Sequence, residues 1–146
     1  MIGESLLHTI LLGAAPVSEV RGAVIYALGI NEPWLIVPAA LANVLVAVVM
    51  IALWGLIPIE RIGRFIIGKR LHLKVEEASR KYEHYGVLGL ALFIGIPLPV
   101  TGVYTGVLVG KILGLPNRVI LLASVIGVAF SATVSFLIVS GALAFI

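Results

Sequence analysis

Two ionisable residues, Glu19 and Arg21, stand inside a largely apolar stretch of this chain, Ser5 to Ile30. A charge at the centre of a membrane-spanning segment costs at least ~2.5 kcal/mol on insertion scales, so such residues are functional candidates by default. Two positions apart on a helix, they would point roughly 200° from one another. Unwound backbone would let them meet, and Pro16, Ser18 and Gly22 favour a break at this point. Desolvation favours the neutral form of a carboxylate, which suits Glu19 to carrying a proton. Arg21 keeps its charge and suits an anionic substrate group or a counter-ion role. The competing reading is that the pair neutralise each other and only hold the fold.

A second set of polar residues is uncharged. Thr101, Tyr104 and Thr105 follow the turn Pro97-Leu98-Pro99 and offer hydroxyl donors and acceptors without further charge. Gly102, Gly106, Gly110 and Gly114 recur every four residues. Such a stripe lets helices approach closely in a membrane, either within the fold or at the seam of a homodimer. Lys111 beside it can snorkel to an interface. Asn43, in the middle of another apolar stretch, needs a partner. His8 reads as structural, and His72 and His84 have no metal-ligand spacing with a carboxylate cluster. With no cysteine there is no disulfide, thiolate site or thiol chemistry. Phosphate-loop, nucleophile-elbow and zinc signatures are also missing. The sequence therefore points away from an enzyme and calls for no cofactor and no metal.

The elements that would position these residues follow from composition and pattern. Of 146 residues, 61% are hydrophobic and 12% charged, against about 25% charged in soluble domains. A domain this small leaves much of its surface exposed, so water cannot be kept from that much apolar material. This excludes a soluble enzyme and a nucleic-acid module and points to an integral membrane protein. Of the ten basic and seven acidic residues, seven and four lie between Glu60 and Glu83. The whole excess of positive charge sits in that loop, which the positive-inside rule places in the cytoplasm of a multi-pass cell-membrane protein. Ile59, Ile62, Ile66, Leu71, Val75, Ala78, Tyr82 and Tyr85 recur at helical steps, so 58–85 reads as an amphipathic helix on the anionic leaflet, in contact with membrane lipids.

Four apolar stretches flank the loop. Trp34 to Ile57 and Val119 to Ile146 carry no charge and are long enough to span, with Trp34 and Trp54 near the ends of the first. Ser5 to Ile30 and Gly86 to Leu115 are interrupted by Pro16 and by Pro97 and Pro99. An offset of 83 places Pro16 on Pro99, Pro33 on Pro116, Ser18 on Thr101 and Val24 on Val107. The expected architecture is thus a single all-α membrane domain of two inverted repeats, 1–57 and 86–146. Each is a re-entrant, broken helical hairpin followed by a transmembrane helix, a plan shared by many transporters. The competing topology is four simple spanning helices kinked at their prolines.

The blocks Pro16-Val17-Ser18-Glu19-Val20-Arg21-Gly22-Ala23 and Ile96-Pro97-Leu98-Pro99-Val100-Thr101-Gly102-Val103-Tyr104-Thr105-Gly106 resemble the small multidrug export protein family. More distantly the chain is similar to the DedA, or VTT-domain, superfamily. Pro16 to Glu19 looks like its acidic Pro-Gly-Glu element, and Ile62 to Phe65 and Lys81 to Gly86 look like its loop signatures. The resemblance implies two facing re-entrant hairpins and proton-linked transport or flipping of a lipid carrier. The superfamily's Phe-x-x-Arg-x-x-Pro-x-x-Arg pattern keeps Phe93 and Pro99 but has Ile96 and Gly102 in place of the arginines, which bears against a phosphate-bearing lipid as substrate.

The expectation is therefore a small transporter, proton- or ion-coupled, exporting a small molecule through a central site of Glu19, Arg21, Ser18, Thr101, Tyr104 and Thr105. Pro16, Gly22, Pro97, Pro99 and Gly102 would break the hairpins. A DedA-like lipid flippase or scramblase and a non-transporting membrane scaffold are the alternatives.

Overall fold

A computed structural model describes residues 2–54, 83–97 and 101–144, and among these the chain is helical with no strand. Six α-helices lie within the described residues: α1 Ile2–Ala14, α2 Glu19–Gly29, α3 Ile36–Leu53, α4 Glu83–Gly95, α5 Val103–Ile112 and α6 Asn117–Leu143. A 3₁₀ turn, Pro33–Leu35, leads into α3, its proline at the first helical position where the missing N–H leaves nothing unpaired.

Side-chain size decides which face of each long helix turns inward. On α3, Ala39, Asn43 and Ala47 are buried at every fourth position, while Val37, Leu41, Leu45 and Val48 are exposed. On α6 the buried face carries Ala123, Ser124, Gly127, Ser131, Ala132 and Ser135, joined by the larger Val119, Ile120 and Val128, and Leu122, Ile126, Phe130 and Leu137 face out. Mostly small residues inside and large apolar ones outside reverse the pattern of a water-soluble helix. In hydrocarbon that arrangement is favourable, because outward leucines lose nothing and small inward residues let backbones pack closely. Pro33–Leu53 and Asn117–Leu143, with mean hydropathy 2.6 and 2.3, are long and apolar enough to cross a membrane.

The two halves interlock. Helix α1 lies along α3 and α4 along α6, while α2 packs across to α6 and α5 across to α3. The shared core gathers Val20 and Val24 of α2, Ile94 of α4, Val103 and Val107 of α5, and Ile120 and Val128 of α6. Two members of the glycine stripe make this possible: Gly106 receives Ile94, and Gly110 receives Ile120 and Leu90. The stripe thus serves packing within the fold. It does not run along one helical face, because Gly102 and Gly114 lie outside α5 at its two ends, Gly114 with φ 71°.

Several local expectations shift. Gly22 is not at a break: it sits inside α2, its N–H bonded to the Ser18 carbonyl at 2.9 Å. The first interruption falls at residues 15–18, where the Pro16 ring has no N–H to continue α1. Pro97 lies in the second interruption, and Pro99 lies outside the described residues. So does the amphipathic helix expected over 58–85, His72 included, apart from its last three positions, which start α4. Trp34 is half-exposed, but Trp54 is buried. Lys111 stands over the Trp54 ring at 5.8 Å and donates to Asn117 at 2.7 Å, tying the ends of α3, α5 and α6 together.

Asn43 is fully buried, and among the described residues neither its amide nitrogen nor its oxygen has a partner. An unsatisfied buried polar group costs about 1–3 kcal/mol. Asn43→Leu, close in volume, is therefore expected to melt in detergent at or above the temperature of the native protein. A lower melting temperature would mean that the amide is satisfied in the native state.

Candidate functional site

Both interrupted segments open onto one cavity of about 280 Å³, lined by Pro16, Val17, Ser18, Glu19, Arg21, Thr101, Tyr104 and Thr105. All six polar residues expected from sequence are therefore brought together.

A helix that stops inside an apolar environment leaves carbonyls unpaired at its end and amides unpaired at the start of the next. Where no water reaches, those groups must find partners within the protein. The interruption between α4 and α5 poses this problem, and the two charges of the first half answer it. The Glu19 carboxylate accepts hydrogen bonds from the backbone N–H groups of Val103 and Tyr104, in the first turn of α5. Its negative charge meets the positive end of that helix dipole. Arg21 reaches the other side. Its Nη2 donates to the carbonyls of Ile94 at 3.3 Å, Ile96 at 3.1 Å and Thr101 at 2.9 Å. Its Nε donates to the Ser131 hydroxyl of α6 at 3.1 Å. A cation thus lies at the negative end of α4, where it belongs.

The second half returns the contact. The Tyr104 hydroxyl donates to the carbonyl of Ala14, at the end of α1. Each half's remaining hydroxyl closes its own break: Ser18 donates to the Leu12 carbonyl and Thr101 to the Ile96 carbonyl, both at 2.7 Å. Thr105 donates to the Gly102 carbonyl at 3.3 Å.

Two backbone positions carry the geometry. Glu19 has φ 48°, a left-handed conformation costing a non-glycine residue about 1–2 kcal/mol. Gly102, the N-cap of α5, has φ 153° and ψ −168°, a region open essentially to glycine alone. A Cβ at Gly102 would fall on the Glu19 carboxylate. The missing side chain at 102 is the space that Glu19 fills, and Glu19 is only 7% exposed.

The sequence matches, over residues 19–134, the family described as "Putative small multi-drug export protein". The chain belongs to this small multi-drug export family. Membership and the apolar helices together make it a membrane protein. No curated protein and no solved structure matches it. The matched region begins at Glu19 and takes in α2 to most of α6, so every described site residue except Pro16, Val17 and Ser18 falls within it.

Sequence reasoning missed two parts of this exporter-family site. Ser131 was indistinguishable from the other small residues of α6, and no spacing marks it as the partner of Arg21. The sequence marks Gly102 as a break and a packing residue, and the structure shows that it also makes room for the Glu19 carboxylate. That role had a signal: the offset of 83 that aligns Ser18 with Thr101 also aligns Glu19 with Gly102. Among the described residues no group of His, Asp or Glu is arranged to hold a metal ion.

Proposed function

We propose that the protein is a small transporter whose two broken hairpins form inverted repeats around the central cavity. Glu19 exchanges protons there as the substrate is exported. The observation that carries this reading is the single cavity at which both interruptions meet, with a buried carboxylate on its wall. Non-helical backbone at membrane depth is tolerated where it lines a cavity or is buried in protein, and the two breaks do both.

The repeat has its own support. The starts of α4, α5 and α6 follow those of α1, α2 and α3 by 81, 84 and 81 positions. Glu19 and Gly102, which coincide at an offset of 83, both have positive φ. Arg21 and Tyr104 coincide as well, and each caps the helix end of the opposite half. Packing is likewise reciprocal, α2 on α6 and α5 on α3. Helices α1 and α2, 13 and 11 residues long, and α4 and α5, 13 and 10, are each too short to span alone. Paired around a turn they form hairpins that enter and leave on one side, and α3 and α6 then cross in opposite directions, with 58–85 on the cytoplasmic face.

Proteoliposomes with an entrapped pH-sensitive dye test the function. They are challenged in turn with an organic cation (benzamidinium), an organic anion (benzoate) and glucose. At least one is expected to move protons faster than in empty liposomes, and Glu19→Gln is expected to abolish that movement. Native protein that moves protons with none of the three, while scrambling fluorescent lipid, would instead make it a flippase.

A further inference from the structure

We infer that the ligand of the central cavity is an organic cation bearing N–H groups, an ammonium or a guanidinium, and not an anion. The inference rests on the cavity being the transport site and follows from an account of donors and acceptors on its wall.

Every hydroxyl lining the cavity is bonded to a backbone carbonyl: Ser18 to Leu12, Thr101 to Ile96, Tyr104 to Ala14 and Thr105 to Gly102. A carbonyl only accepts, so in each bond the hydroxyl has given up its one hydrogen. What such a hydroxyl still offers is oxygen lone pairs. The first-turn amides of α5, which would otherwise make an anion site, are occupied by the Glu19 carboxylate. The Arg21 donors that face the break are directed at the carbonyls of Ile94, Ile96 and Thr101, at Ser131 and at the Thr101 hydroxyl, where they take up one of its lone pairs. The wall is therefore rich in acceptors and carries both a carboxylate and a guanidinium, whose charges offset each other, so hydrogen-bonding capacity decides between ligands. An anion entering this space would meet lone pairs where it needs hydrogen-bond donors. An N–H-bearing cation meets acceptors for its hydrogens, the Glu19 carboxylate among them.

Volume sets the class more narrowly. A space of about 280 Å³ lies at the lower edge of small-molecule pockets, about 300 Å³ and upward. Pro16 and the almost fully exposed Val17 add apolar wall, suited to a compact apolar body behind the cationic group. Proton and cation would then share one carboxylate, so occupancy by either excludes the other, which is the requirement for exchange transport.

Isothermal titration of the purified full-length protein in detergent tests this with matched probes: benzylammonium, benzamidinium, benzoate and benzyltrimethylammonium. The two N–H cations are expected to bind at least about tenfold more tightly than benzoate and than the quaternary ion, which has the charge but no hydrogens to donate. Glu19→Gln should remove that preference. Should Glu19→Gln fail to fold, Thr105→Val serves: the Gly102 carbonyl keeps its bond from the Gly106 N–H, and binding is expected to weaken about fivefold. Benzoate binding as tightly as benzylammonium, or the quaternary ion binding as tightly as either N–H cation, would overturn the inference. Tight binding of benzamidinium without proton movement in liposomes would keep the ligand class and defeat the transport reading. Proton movement driven by benzoate alone would do the reverse.

Discussion

Gly102→Ala is expected to prevent accumulation of folded protein, although it adds a single methyl group. Two costs arise together. The backbone at φ 153°, ψ −168° is in a region that side chains avoid, at about 1–3 kcal/mol. The new Cβ also falls on the Glu19 carboxylate and must drive it from the amides of Val103 and Tyr104. Hydrogen bonds to a charged group are worth about 1.5–3 kcal/mol each, and displacing the carboxylate would leave both amides without that acceptor. The sum approaches the whole stability of an ordinary domain, about 5–15 kcal/mol. Fluorescence-detected size exclusion and melting in mild detergent would measure it. A melting temperature within about 2 °C of the native protein would show that the Glu19–Gly102 contact carries little. The two costs separate in a double-mutant cycle: adding Glu19→Ala to Gly102→Ala removes the overlap and leaves the backbone strain. The double variant should therefore be less destabilised than the sum of the two singles.

This contact also marks where the sequence stops being readable. The long helices α3 and α6 were legible because an uncharged apolar run of sufficient length has few alternatives in a membrane. The breaks were legible because Pro16 and Pro97 cannot continue a helix, and the six polar residues of the site because polar groups are scarce in such a chain. What could not be read was which group satisfies which. Glu19 and Arg21 were expected to face the hydroxyls of the second half or each other. In the structure they bond mostly to backbone, amides at one helix end and carbonyls at the other, and Arg21 also to the Ser131 and Thr101 hydroxyls. Backbone groups have no letter in a sequence, so a charge that serves them looks the same as a charge that serves a ligand. The glycine stripe failed for a related reason. Spacing of four predicts one face only while the helix lasts, and α5 occupies just Val103–Ile112. Gly102 and Gly114 had to leave it to let the chain turn.

Arg21→Met is expected to lose about 3 kcal/mol or more of stability, through groups that Arg21 now satisfies. Methionine matches the length of the arginine stem but offers no donor. The carbonyls of Ile94 and Thr101 and the hydroxyl of Ser131 would each lose a bond, and the Ile96 carbonyl would keep only the Thr101 hydroxyl. Arg21→Lys should recover only part of the loss, since one ammonium cannot serve both the loop carbonyls and Ser131 as the planar guanidinium does. The order native, lysine, methionine in melting temperature is the measurement. It decides between the two roles that Arg21 could have had. An arginine kept for an anionic substrate would leave the Met variant folded and change only transport. An arginine that closes the α4 end would unfold first, because its hydrogen bonds hold the second break in the shape that receives Glu19. Fold and site would then be one construction: the charges that make the cavity are the charges that let broken helices exist within the membrane at all.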